Sequence, residues 1–391
     1  LGLMQMGAEG ADVHRRSLAT LQAYQTPLGN IPHNVGFTGI PDPALVAHGG
    51  ALRVSDDDQG KVVTDTVHAG CIDNALWYII GQHYTAAVDG DLVRLRASWS
   101  SIERAHLWLR YQDSNECGLL EVHEAMDWAD LFANRYNSLW PNVLWFAANR
   151  AMARMARLLN LGSADGFEAA AEDIRFKVNT LLWVGPEHKR DLGWVERNRK
   201  EWLYPIRATD TLYQERPYYL PYMAFRGWCD RFDAFGNLAA VLFGLASEAQ
   251  ADRIFDYIQA AGVAEPWPIK AVTPPVMPGE ADWREYYRLR NLNLPNQYHN
   301  GGAWPFLGGF YVAALERAGR HQKAAETLER LAEMNRQARF GGEWEFNEWF
   351  HGVSGRPMGF ARQSWSAAMF VFAHESVKRG SVPVFGEEGL W

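Results

Sequence analysis

The sequence predicts an all-α protein built as a toroid of helical hairpins, and three observations carry that prediction. Helical periodicity recurs from end to end, while the alternation of a half-buried strand is almost absent. The helices pair across short turns, with long Gly/Pro-rich or polar connections between the pairs. No period of about 30 to 50 residues recurs, which separates a closed toroid from a repeat solenoid.

The elements follow in order. Leu1, Leu3, Met4 and Met6 read as the inside of a helix, so part of a first helix is expected to precede Leu1. Residues 11–23 are periodic, with Val13, Leu18 and Leu21 on one face, and a Gly/Pro/His-rich loop covers 26–65. Residues 72–84 are nearly all apolar, the mark of a buried helix. Helices are expected at 92–111 and 140–159, the latter with Leu144, Ala148, Met152 and Leu158 in line. The helix at 165–182 opens on Asp165 and Glu168 in capping-box spacing; Ser247 and Gln250 repeat that device before a helix at 251–261. With 236–246 this last helix forms a hairpin. Helices at 304–318 and 322–339 flank a Gly319-Arg320 break, and a final one covers 364–377. The apolar segments 72–84, 236–246, 304–318 and 364–373 are the expected inner helices. No linker interrupts the composition, so residues 1–391 are expected to form one domain.

Bulk composition narrows the function. The net charge is −8 and no Lys/Arg block occurs, which disfavours nucleic acid or an anionic membrane as a partner. No apolar run approaches the ~18 residues of a membrane span. Three cysteines without metal spacing fit a reduced, cytoplasmic chain and suggest neither a metal nor a cofactor. A homo-oligomer is compatible with this composition. Seventeen Trp supply flat faces of the kind that bind sugars, although most must be core.

No phosphate loop, dinucleotide fingerprint or nucleophile elbow is present. The polar signal is carboxylates among aromatics, in the stretches 126–132 and 343–350. Glycoside hydrolysis needs two carboxyls across the scissile bond, one held protonated by apolar surroundings and the other ionised. Asp127 and Asp130 in the first stretch and Glu348 in the second are the candidates, with a helix cap as the alternative for either Asp. The stretch 296–310 carries Tyr298, His299 and Trp304 around Gly301-Gly302, where backbone approaches a ligand closely or turns with positive φ.

Tyr298-His-Asn-Gly-Gly-Ala-Trp-Pro305 resembles the Tyr-His-Asn-Gly-Gly-Ser-Trp-Pro element of the alkaline/neutral invertases, glycoside hydrolase family 100. Phe235-Gly-Asn237, Pro268-Ile-Lys270, Asp282-Trp-Arg284 and Ile72-Asp-Asn-Ala-Leu-Trp-Tyr-Ile79 are similar to further elements of that family, in the same order. The resemblance implies an (α/α)6 barrel and hydrolysis with inversion of a small carbohydrate, a sucrose-like compound or an α-glucoside. It implies Glu348 as general base, with Gly355 seven positions on as in the family, and Asp130, or else Asp127, as general acid. Asp73, Trp77, Arg231, Tyr298, His299, Trp304, Gln363 and Trp365 fall where substrate would be held. For Arg231 a structural ion pair with Asp230 serves equally; His299 has the alternative of a buried histidine satisfied by backbone, and Trp365 that of a core residue.

The chain departs from the family at several points. Leu131 and Phe132 replace two arginines that follow its acid, and His351 replaces an aspartate. The 359–363 segment is shorter, and the family's Val-Arg-Asp sugar element would lie before Leu1. A barrel of this kind acting on glucosylglycerate, trehalose or branched oligosaccharides is therefore the alternative within enzymes. From other classes stand a sugar epimerase or isomerase working through histidines, and a non-catalytic sugar-binding barrel.

Overall fold

The computed structural model describes residues 1–33, 35–37, 52–57, 60–65, 71–213, 215–387 and 389–391. A 3-10 turn, Gly2–Gln5, leads into α1 (Gly7–Ala23). There follow α2 (Asp73–Asp89), α3 (Leu92–Arg110), α4 (Leu139–Leu158), α5 (Ala164–Leu182), α6 (Leu192–Asn198) and α7 (Leu203–Tyr213). The chain continues with α8 (Ala234–Leu242), α9 (Glu248–Ala260), α10 (Pro305–Arg317), α11 (His321–Arg336) and α12 (Ser364–Arg379).

These helices form an (α/α)6 barrel. α2, α4, α8, α10 and α12 pack side by side in that order, and the 3-10 turn with α1 closes the ring between α12 and α2. α3, α5 and α11 back the ring from outside. All four segments expected inside are inner helices, and α4 is a fifth. Its apolar residues suggest a single stripe, yet almost its whole circumference is buried, because it is covered by lumen on one side and α5 on the other.

Other expectations are corrected. The capping box at Asp165 does not form: α5 starts one residue earlier behind Ser163, and Asp165 and Glu168 both pair with Arg157 instead. Ser247 and Gln250 do form theirs, each accepting the other's backbone N–H. α6 and α7 arise where no stripe was legible, since both are short and marginal in periodicity. Within the expected loop 26–65, strands 35–37, 60–65 and 52–57 pair antiparallel in that spatial order. Val13 is exposed rather than packed beside Leu18, five residues on and so turned well away around the helix.

The N-terminal ends of the inner helices open toward the same long connections, residues 111–138, 214–233, 261–304 and 337–363. The opposite end is closed by the last residues. Val384, Phe385 and Trp391 are buried there. The Trp391 ring lies 5.6 Å from both Phe243 and His83, its Nε1 donates to the Phe243 carbonyl at 3.0 Å, and its carbonyl accepts from Arg154 at 2.9 Å.

Asp233 caps α8, accepting the Phe235 N–H at 3.1 Å. Burial raises its carboxyl to about 7 against the backbone hydrogen bonds that favour the anion. The folded state thus holds a proton that the unfolded chain releases, so this group's stabilising contribution is lost as pH rises from about 4 through about 7. Asp233→Asn keeps a capping oxygen without the charge. Its thermal stability relative to the parent should therefore increase between pH 4 and pH 8. A pH-independent difference in melting temperature would refute this.

Candidate active site

The loop before α4 carries both candidate acids and is fixed to its surroundings by backbone bonds. The Ile72 N–H donates to the Met126 carbonyl at 3.3 Å, joining the loop to the start of α2. Asp127 turns inward: its Oδ1 accepts the Ala129 N–H at 2.8 Å and the residue is 1% exposed. Burial, then the neighbouring Asp73 charge, push its carboxyl well above the usual carboxylate range. No helix starts at this loop, so neither Asp is a helix cap; Asp127 instead closes a two-residue turn. The Asp130 side chain is 35% exposed, with its Oδ1 3.8 Å from His299 Nδ1.

Glu348 lies on the connection before α12. Its N–H donates to the Phe360 carbonyl at 2.8 Å, and its Oε2 accepts the Phe360 N–H at 2.9 Å. Next to it, Trp349–Phe350 pairs with Pro357–Met358, and Phe350 exchanges backbone bonds of 2.7 and 2.8 Å with Ala303. This join brings the 343–350 and 296–310 stretches together. Burial raises the Glu348 carboxyl; the Phe360 N–H opposes the shift and the charge on Asp130 adds to it.

Between them sits Tyr298. Burial holds its phenol in the protonated form, and the charges of both Asp130 and Glu348 push the same way. His299 stacks on Trp304 with centroids 5.3 Å apart and meets the edge of Trp128 at 4.8 Å. Burial depresses His299 to about 4, against the nearby Asp130, so the ring is neutral at physiological pH. Trp304 is 2% exposed and donates from Nε1 to the Tyr298 carbonyl at 3.0 Å. It backs His299 and Tyr298 and lies beneath the pocket surface. Trp365, 48% exposed, meets Trp304 edge-on at 6.5 Å and carries the aromatic wall out to solvent.

Asp73, the first residue of α2, is buried with its carboxyl raised by desolvation and lowered again by His33. Among the described residues, hydrogen-bond partners are lacking for the buried Asp73 Oδ1, Asp127 Oδ2, Trp128 Nε1, His299 Nδ1 and Trp349 Nε1. Buried polar atoms without a partner also occur elsewhere among the described residues, as at Trp183 Nε1, Trp202 Nε1 and Asn335, so they do not by themselves mark a site. Trp77 lies deeper, against Trp140, Phe243 and Phe310 in the lumen. Gln363 caps α12, and its N–H is held by the Phe346 carbonyl. Arg231 is taken up by Asp230 at 2.8 Å and Glu280 at 2.6 Å, so the geometry carries its ion-pair alternative.

Sequence reasoning missed the clamp that holds the acid loop. Glu124 accepts from Arg284 through Nε at 2.8 Å and Nη2 at 3.0 Å, and from the Tyr286 hydroxyl at 3.0 Å. The Arg284 motif was visible; its partner 160 residues away was not. Gly359 was also missed, although its φ of +70° and its contact with Glu348 require glycine. An open groove of about 1110 Å³ between α3 and α5, lined by His106, Phe167 and Lys177, includes none of these residues.

The barrel places the molecule in a known class. It superposes on the family 63 mannosylglycerate hydrolase of Thermus thermophilus solved with glucose, with a TM-score of 0.63 and 16% identity over 95% of this chain and 90% of that one. A family 78 rhamnosidase of Bacillus sp. GL1 gives a TM-score of 0.50 at 20% identity, over 78% of this chain and 26% of that one. Within this fold class the chain matches the family model of the alkaline and neutral invertases over residues 208–379, less than half of its length. It is 39% identical over 105 residues to alkaline/neutral invertase E, chloroplastic, of Arabidopsis thaliana, a match covering 26% of this chain. It is 35% identical over 153 residues to cytosolic invertase 1 of Oryza sativa subsp. japonica, covering 37% of this chain. The matched stretches span only 16% and 25% of those two relatives' own length.

Proposed function

We propose that this chain is a glycoside hydrolase that cleaves a small α-glucoside or sucrose-like substrate with inversion, Asp130 serving as general acid and Glu348 as general base. One observation carries the reading: the Tyr298 ring lies 4.1 Å from that of His299, whose Nδ1 is 3.8 Å from Asp130, and 6.0 Å from that of Trp349, which follows Glu348, so both candidate carboxyls stand beside one aromatic group. Asp130 donates its proton to the departing glycosidic oxygen. Glu348 takes a proton from a water that attacks the anomeric carbon from the opposite face, and the bond to the leaving group breaks as the new C–O bond forms. The geometry of inversion requires the two carboxyls to lie roughly 6.5 to 9.5 Å apart, with the water between. Neutral His299, the Tyr298 hydroxyl and Asp73 hold sugar hydroxyls, with Trp365 and Gln363 at the rim. The chemistry needs no metal or organic cofactor.

The nature of the leaving group is less tightly bounded. Phe132 is buried on Tyr287, and Leu131 presents its carbonyl to Asn293, so neither supplies the charge of the arginines it replaces. Glucosylglycerate, trehalose or branched oligosaccharides therefore stand as the alternative substrate group. The similarity in fold to a mannosylglycerate hydrolase makes glycerate glycosides worth including. We place the activity in the cytoplasm: among the described residues no helix is long and apolar enough to cross a bilayer, the three cysteines are buried and unpaired, and one relative is a cytosolic invertase.

The deciding experiment incubates the protein with sucrose, trehalose, glucosylglycerate, mannosylglycerate and isomaltose, and follows the first minutes of sugar release by proton NMR. An α-glucoside should yield β-glucose first. Initial α-glucose would refute inversion and the role of Glu348, and no release from any compound would refute the hydrolase reading.

A further inference from the structure

We infer that Asn293 is a positioning residue for the general acid, fixing the loop of Asp130 against the stretch that carries Tyr298 and His299. Asn293 is fully buried just after the 3-10 segment Glu285–Asn291, and both ends of its amide are in use. Its Nδ2 donates to the carbonyl of Leu131, the residue after Asp130. Its Oδ1 accepts the N–H of Asn300, the residue after His299, at 2.9 Å. One side chain thus ties the immediate neighbours of Asp130 and His299, whose own side chains lie 3.8 Å apart.

The bridge is itself held rigid. The Asn293 N–H donates to the Tyr287 carbonyl at 3.2 Å. Asn300 exchanges bonds with Val276, accepting its N–H at 2.7 Å and donating to its carbonyl at 2.9 Å. The Tyr287 hydroxyl accepts the Ala133 N–H at 2.9 Å, while its ring stacks on Phe132. Residues 129–135 have no helix or strand to orient them, so these tertiary bonds set the direction of Asp130. The bridge is uncharged and fully satisfied, which lets it fix position in a buried site without altering the electrostatics of the acid beside it. An aspartate, a near-isostere, would still accept from Asn300 but would turn an acceptor toward the Leu131 carbonyl.

This role rests on the reading of Asp130 as general acid, and the test separates the two. A leaving group that departs without protonation does not need the acid, so the probes are an ordinary α-glucoside cleaved by the wild type and α-glucosyl fluoride. Asn293→Asp, and Asn293→Ser as a second variant, should lose about 100-fold in kcat on the α-glucoside and less than about 10-fold on the fluoride. Asp130→Asn should show the same split. Equal losses on both probes, no loss on either, or failure of both variants to fold would overturn the positioning role. A wild-type protein that cleaves neither probe would overturn the hydrolase reading, and the role with it.

Discussion

Glu348→Gln should lower kcat by about 10²- to 10⁴-fold, the usual worth of a general base, while the barrel stays folded. The amide oxygen of glutamine still accepts from the Phe360 N–H, so the 2.9 Å bond that fixes the side chain survives the change. Removing a carboxyl that burial has already raised also removes a cost of folding at neutral pH, so the melting temperature should hold or rise. The parent's pH profile offers a second check. A base works only when ionised, so kcat/KM should fall as pH drops through a value above the ordinary glutamate range, because desolvation, the largest effect on this carboxyl, favours the protonated form. Full activity in Glu348→Gln, or an acid limb at or below the usual glutamate pKa, would remove Glu348 from the mechanism.

Gly359→Ala should be nearly as damaging although it replaces neither carboxylate. Gly359 has φ +70°, and a Cβ there would lie 2.4 Å from Glu348 Oε2, 2.7 Å from Glu348 Cβ and 2.7 Å from Trp349 Cδ1. Trp349 is buried and cannot yield, so Glu348 must move. A displacement of about 1 Å at a catalytic group costs on the order of 100-fold in rate. Gly341→Ala is the control: φ there is +93°, with nothing within 4 Å of an added Cβ. It carries the backbone strain alone and should leave kcat within about twofold, since it moves no catalytic group. Comparable losses in the two variants would show that strain, and not displacement of Glu348, is responsible.

The barrel was legible because the inner helices at 72–84, 236–246 and 304–318 bury most of their surface and advertise that in their composition; 364–373 buries one face only, with Trp365 48% exposed. α6 and α7 were not legible, because no stripe stood out across 192–213. Glu348 was reachable as a candidate through its spacing to Gly355. The choice between Asp127 and Asp130 was not, because three positions in a turn-rich loop carry no period; in the fold Asp127 is buried and accepts the Ala129 N–H, while the Asp130 side chain is 35% exposed. Trp304 has the composition of a sugar platform, but its N–H is bound to Tyr298 and its ring is covered. The Glu124–Arg284 clamp and the Asn293 bridge join segments about 160 residues apart, and such pairings exist only once the ring has closed.

The seal at the foot of the barrel bears on how a substrate is consumed. Trp391 and Phe385 pack at the base, and Trp77, Trp140, Phe243 and Phe310 fill the lumen above them, so a polymer has no path through the barrel among the described residues. Under the hydrolase reading, substrate therefore enters and both products leave on the loop side.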